Sequence, residues 1–174
     1  PGGQDPWLMA ANDETHDVAM IGSYVMGNMY SEVIGIEFTD TFKGHSDYYE
    51  GDQESFELMS DIIDSNSHNV VSLHFSGPDK VGHTWGIESE EYKDKLLDID
   101  IKLNEIMSNI DPNWNIIITA DHGMTATGTH GSAEEKTRDV SAFVTGPDII
   151  ASASQNIVQR DLAALTTLLT GQPF

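Results

Sequence analysis

Five residues have the types and spacing to hold metal ions. Asp79 and His83 stand four apart in "GPDKVGH" (77–83). Asp121 and His122 are adjacent in "ADHGMTATGTHG" (120–131), and His130 follows eight residues after His122 across a glycine-rich turn. Carboxylate and imidazole without thiolate suit hard-to-borderline divalent ions such as Zn²⁺ or Mn²⁺. Five such ligands exceed what one tetrahedral ion takes, so the reading is two neighbouring ions. Paired ions about 3.5–4 Å apart are a recurrent device of phosphoryl transfer. Singly, each residue has a plainer use: Asp79 in a turn, His83 on a loop surface, Asp121 and His122 at a strand end, His130 beside Gly131. Together on two loops they favour the metal.

Both loops leave segments that read as strands, which is where ligands bind in open α/β sheets. "NVVSLHF" (69–75) precedes the first loop and "WNIIITA" (114–120), which reads as fully buried, precedes the second. "DVAMI" (17–21) and "VSAFVTG" (140–146) are further strand-like runs, and "IGIEF" (34–38) is another candidate in the poorly patterned region 23–51. "DQESFELMSDIIDSN" (52–66) spaces Phe56, Met59, Ile62 and Ile63 as one helix face, with Asp52 as its cap. The segment 89–110 places Tyr92, Leu96, Ile99, Leu103, Ile106 and Ile110 on one face. Ser89, Glu90 and Glu91 start that helix and Asp111-Pro112-Asn113 stops it. Residues 157–171 read as a closing helix ending at Gly171. Strands alternating with helices predict an α/β domain with a mostly parallel sheet and helices on both faces.

The composition narrows the partners. With 29 acidic against 8 basic residues, the net charge of −21 repels nucleic-acid backbones and anionic membrane surfaces. No run reaches the roughly 18 apolar residues of a transmembrane span. The absence of cysteine excludes a disulfide scaffold and thiolate metal sites. His74 sits inside a strand and reads as structural; His16, His45 and His68 lie in polar surroundings; Trp85 and Trp114 read as packing residues.

"HFSGPDKVGHTWG" followed by "TADHGMTATGTHG" closely resembles the alkaline phosphatase superfamily. The similarity is best to its type I phosphodiesterase/nucleotide pyrophosphatase branch and to the related ethanolamine phosphate transferases that act on lipid-linked glycans. The shared pattern is Asp-x-x-x-His after one strand, Asp-His-Gly-Met after the next, then Gly-x-His-Gly. "VSAFVTGPDI" and the closing helix extend the resemblance over about residues 69–174, with Ala164 where the family often has proline. The resemblance implies an alkaline-phosphatase-like fold in which Asp79, His83 and His130 hold one metal and Asp121 with His122 the other. It implies a metal-dependent enzyme acting on a phosphate ester, through a Thr or Ser nucleophile at a helix start. No segment of residues 1–68 reads as a strand-Asp followed by that nucleophile. The expectation is therefore a single domain over 1–174 that lacks an N-terminal portion. An extracytoplasmic or membrane-anchored full-length form fits the resemblance. The alternatives are a phosphomutase, phosphomonoesterase or sulfatase-type hydrolase of the same superfamily, or a non-catalytic metal-binding module.

Overall fold

The computed structural model describes residues 17–23, 48–150 and 156–171. The candidate strand 34–38, His16 and His45 lie outside the described residues. The elements are β1 (Val18–Ile21), α1 (Glu50–Ser65), β2 (Val70–Leu73), α2 (Gly77–Trp85), α3 (Glu90–Asn109), β3 (Ile116–Thr119), α4 (Glu135–Arg138), β4 (Ala142–Thr145) and α5 (Gln159–Leu169).

β1 and β2 pair in parallel, from Val18 opposite Val70 to Ile21 opposite Leu73. Parallel neighbours need a crossover, and α1 lies within the one that joins them. Its apolar spacing works as read: Met59 and Ile62 are buried with Ala19, Ile21 and Ile106, and Phe56 and Ile63 pack around them. Each fully buried aliphatic side chain of this kind contributes about 1.5–3 kcal/mol. Trp114 packs against the same cluster, as expected. Trp85 is instead 45% exposed, its ring 4.9 Å from that of Tyr48.

Among the described residues the mostly parallel sheet holds for only one of the two strand pairs. β3 and β4 are antiparallel, from Ile116 opposite Thr145 to Thr119 opposite Ala142. The connection between them holds only the four-residue α4, too little helix to carry a parallel crossover. β3 is also half-buried rather than fully buried, with Thr119 exposed.

Two helices depart from the sequence reading in ways that matter for the site. "GPDKVGH", expected as a loop, forms the first seven residues of α2. Pro78 falls in the first turn, where its missing N–H has no intrahelical partner to lose. Asp79 and His83, four apart on a helix, therefore share one face. α1 begins at Glu50, so Asp52 lies in its first turn and does not cap it. Its carboxylate instead accepts hydrogen bonds from the Ser76 and Gly77 amides, 2.9 and 3.1 Å away, where α2 starts.

α3 starts as expected, with the Ser89 hydroxyl accepting from the Tyr92 amide at 3.1 Å. Its buried positions are Lys95, Lys102 and Ile106, whereas Leu96, expected on the buried face, is 44% exposed. Lys95 faces inward where Asp52 of α1 answers its charge, and Asp98 on α3 itself bridges Lys95 and Lys102. Among the described residues no helix is long and apolar enough to cross a membrane.

Candidate metal centre

α2 presents Asp79 and His83 from one side, and the loop between β3 and α4 brings Asp121, His122 and His130 from the other. The loop returns on itself through Thr125, whose amide donates to the Thr129 carbonyl at 2.8 Å and whose hydroxyl meets the Thr129 hydroxyl at 2.8 Å. At the tip of this return Gly128 has φ +76° and touches α2. A Cβ there would collide with the Gly82 carbonyl and crowd His83. Gly128→Ala is therefore expected to cost about 1–3 kcal/mol of stability, since strain and collision coincide. It should also weaken metal binding by prising the loop from the helix. Chemical denaturation and metal titration check this, and a variant with unchanged midpoint and affinity refutes it.

The polar atoms converge. Asp79 Oδ1 lies 3.4 Å from His83 Nε2, 3.4 Å from His130 Nε2 and 3.8 Å from His122 Nε2. Ligand atoms of Asp79, His122 and His130 all fall within 4.8 Å of one another. The His122 and His130 rings stack with centroids 3.8 Å apart. His83 joins this group through His130, Nε2 to Nε2 at 3.0 Å. Asp121 is tied in through His122, whose Nε2 is 3.8 Å from Asp121 Oδ2, the same distance as to Asp79. The structure thus brings four of the five sequence-derived residues into one cluster and sets Asp121 at its edge, while His68 lies elsewhere, bonded to Ser67.

Three observations fit this donor set to a cation. Asp79 Oδ1 is buried and has no hydrogen-bond partner, although it sits among three imidazoles. His83 Nδ1 is 2.7 Å from the Gly128 carbonyl and His122 Nδ1 is 3.1 Å from that of Gly123. A carbonyl only accepts, so each Nδ1 carries the proton and a neutral ring leaves its Nε2 lone pair toward the cluster. Finally, His83 Nε2, left without a proton by that tautomer, faces His130 Nε2 at 3.0 Å, a contact satisfied either by a proton on His130 Nε2 or by a cation between the rings.

Charge at the edge of the cluster is also biased. His74 Nε2 lies 3.8 Å from Asp121 Oδ2, too long for a hydrogen bond, and the two form an ion pair only when the imidazole is protonated. His74 is the largest cause holding the Asp121 carboxyl at about 2; burial opposes it and His122 adds to it. Burial, then the charge of Asp79, pushes the Tyr92 phenol up. His74, read from sequence as structural, thus stands beside a site residue. The only clue in the sequence was its place at the end of the strand that feeds the first loop.

Comparison with known proteins gives the family. The family described as type I phosphodiesterase/nucleotide pyrophosphatase matches residues 3–157. The human GPI ethanolamine phosphate transferase 3 catalytic subunit is 27% identical over 128 residues, which cover 71% of this chain and 12% of that protein. The human GPI ethanolamine phosphate transferase 2 catalytic subunit is 30% identical over 143 residues, covering 74% of this chain and 14% of that protein. The chain therefore spans a small part of the length of these relatives. In fold it is similar to the PH0037 protein of Pyrococcus horikoshii, with a TM-score of 0.60 and 14% identity over 98% of this chain and 52% of that one. On the extent of the family match, and with the aspartate–histidine cluster where the two motifs meet, the chain belongs to the type I phosphodiesterase/nucleotide pyrophosphatase family of the alkaline phosphatase superfamily.

Proposed function

We propose that this chain is part of a single alkaline-phosphatase-like domain that carries the two-metal centre of a phosphoryl-transfer enzyme, acting on a phosphodiester in the manner of a phosphodiesterase or phosphoethanolamine transferase. The observation that carries the reading is the buried, unpartnered Asp79 Oδ1 amid the Nε2 atoms of His83, His122 and His130. Asp79, His83 and His130 hold one divalent ion, and Asp121 with His122 holds the second; Zn²⁺ and Mn²⁺ both suit the donors. His122, equidistant from Asp79 and Asp121, puts the two sets side by side. When bound, such ions supply Lewis-acid polarisation of the phosphoryl oxygens and a lowered pKa for the attacking hydroxyl.

The chain's own residues do the positioning. The Gly128 and Gly123 carbonyls fix which nitrogen of His83 and His122 faces the centre. Asp121 is anionic across the neutral range, as a carboxyl of ordinary pKa is, and His74 beside it lowers the carboxyl further. In a chain of net charge −21, an anionic phosphate approaches only where positive charge is concentrated. The relatives' names support a phosphoethanolamine-transfer chemistry for this family member.

Metal content of this chain, measured by elemental analysis, together with turnover of bis-p-nitrophenyl phosphate against p-nitrophenyl phosphate and p-nitrophenyl sulfate by the chain joined to the segment that supplies the nucleophile, tests the proposal. Bound divalent metal and preference for the diester are expected. Preference for the monoester or sulfate would move the protein to the phosphatase, phosphomutase or sulfatase branches. Metal without turnover of any ester would make it a binding module.

A further inference from the structure

Asp52 and Lys95 are the most deeply buried charges among the described residues outside the metal cluster. Their side chains are 3% and 0% exposed, with Lys95 Nζ 2.7 Å from Asp52 Oδ2. The other Asp52 oxygen accepts from the Ser76 amide at 2.9 Å, and both oxygens accept from the Gly77 amide at 3.1 and 3.2 Å. These are N–H groups at the start of α2, which no intrahelical carbonyl can satisfy. Ser76, at the cap position, makes no side-chain capping bond of its own. A carboxylate contributed by α1 therefore does the work of the missing cap, with the favourable sign for a helix N-terminus.

The fit is tight. A Cβ at Gly77 would collide with Asp52 Oδ2 and Lys95 Cε, so the pair fills the space that a side chain at this position would need. Lys95 is held in turn by Asp98 at 2.8 Å and lies 4.4 Å from the Tyr49 ring centroid. Apolar residues of equal volume would be about as stable in this place, so stability alone does not account for two buried charges. What an apolar pair could not do is bind the first amides of α2, two residues before Asp79.

We propose that Asp52, locked by Lys95, is a positioning residue for the metal centre. It caps the ligand helix from outside and sets the depth and rotation at which Asp79 and His83 meet the loop 120–131. The inference rests on Asp79 and His83 being ligands.

Two double variants separate positioning from simple stability. Asp52→Asn with Lys95→Met removes both charges but keeps an amide oxygen for Ser76 and Gly77. Asp52→Ala with Lys95→Met removes both charges and the acceptor. Zn²⁺ affinity, measured by chelator competition, should stay within about threefold of the unmodified protein in the first and fall about 10–100-fold in the second, the usual effect of losing support behind a ligand. Hydrogen exchange in the unmodified protein adds a reading that needs no variant: the Ser76 and Gly77 amides should be protected. Equal Zn²⁺ affinity in the two double variants, or free exchange at these amides, overturns the positioning role while leaving the metal centre intact. An unmodified protein that binds no Zn²⁺ overturns the metal-centre reading and this inference with it.

Discussion

Asp79→Asn is expected to strip the chain of metal, and the nucleophile-bearing protein of activity, while leaving its secondary structure unchanged. The substitution is isosteric and α2 does not use the Asp79 side chain for its own capping, so the helix should persist. What changes is the charge at the point where three Nε2 atoms converge within 3.4–3.8 Å. An amide oxygen is a far weaker donor to Zn²⁺ or Mn²⁺ than a carboxylate, and an amide nitrogen is none at all. Losing residues that merely support a ligand costs about 10–100-fold in affinity, so losing the shared carboxylate should exceed about 100-fold. His130→Ala is expected to follow it, since His130 touches Asp79 and His83 and stacks on His122. Elemental analysis after dialysis, circular dichroism and diester turnover check both variants. A folded Asp79→Asn protein with native metal content would refute the site.

The chemistry of this chain was legible earlier than its geometry. Asp79, His83, Asp121, His122 and His130 stood out because carboxylates and imidazoles repeat after two apolar runs, and the structure gathers four of them and sets Asp121 at the edge. The Ser89 start of α3 was legible because capping is local. α2 was not. Two glycines and a proline in seven residues weaken intrinsic helix propensity, and the helix depends on an acceptor 24 residues away in sequence. Asp52 reads as the cap of its own helix but caps α2, since sequence spacing shows only near neighbours. The buried face of α3 departs from its hydropathy for a related reason. Hydropathy puts Leu96 inside and Lys95 outside, and the carboxylate of Asp52, on another helix, answers the inward lysine. Strand direction was equally hidden, because "VSAFVTG" reads the same in either orientation and only the shortness of α4 decides against a crossover.

Lys95→Met should be strongly destabilising. The pair with Asp52 is fully desolvated, so removing the ammonium leaves a carboxylate buried without its counter-charge. Breaking such a pair from one side costs about 3–5 kcal/mol, a large fraction of the stability of a typical domain. Lys93 on the same helix is the control. Its pair with Glu90 is as short, 2.6 Å, but both side chains are mostly exposed, and Lys93→Met should leave the unfolding midpoint unchanged within error. The same network sets an acid dependence. Burial pushes the Asp98 carboxyl up, and hydrogen bonds from Lys102 and Lys95 more than reverse this, leaving it below its ordinary 3.8. A carboxyl lowered on folding contributes stability that is present above its unfolded pKa and is lost as pH falls through the folded value. Unmodified protein should therefore hold this contribution at neutral pH and lose it only below about pH 4. In Lys95→Met, Asp98 keeps only Lys102, so its carboxyl rises toward the ordinary value and its share of the acid-sensitive stability shrinks. Urea melts between neutral pH and the acid limit separate the two effects. A Lys95→Met protein as stable as the Lys93→Met control at neutral pH would mean that the buried charges are solvated in solution and that α2 is anchored in some other way.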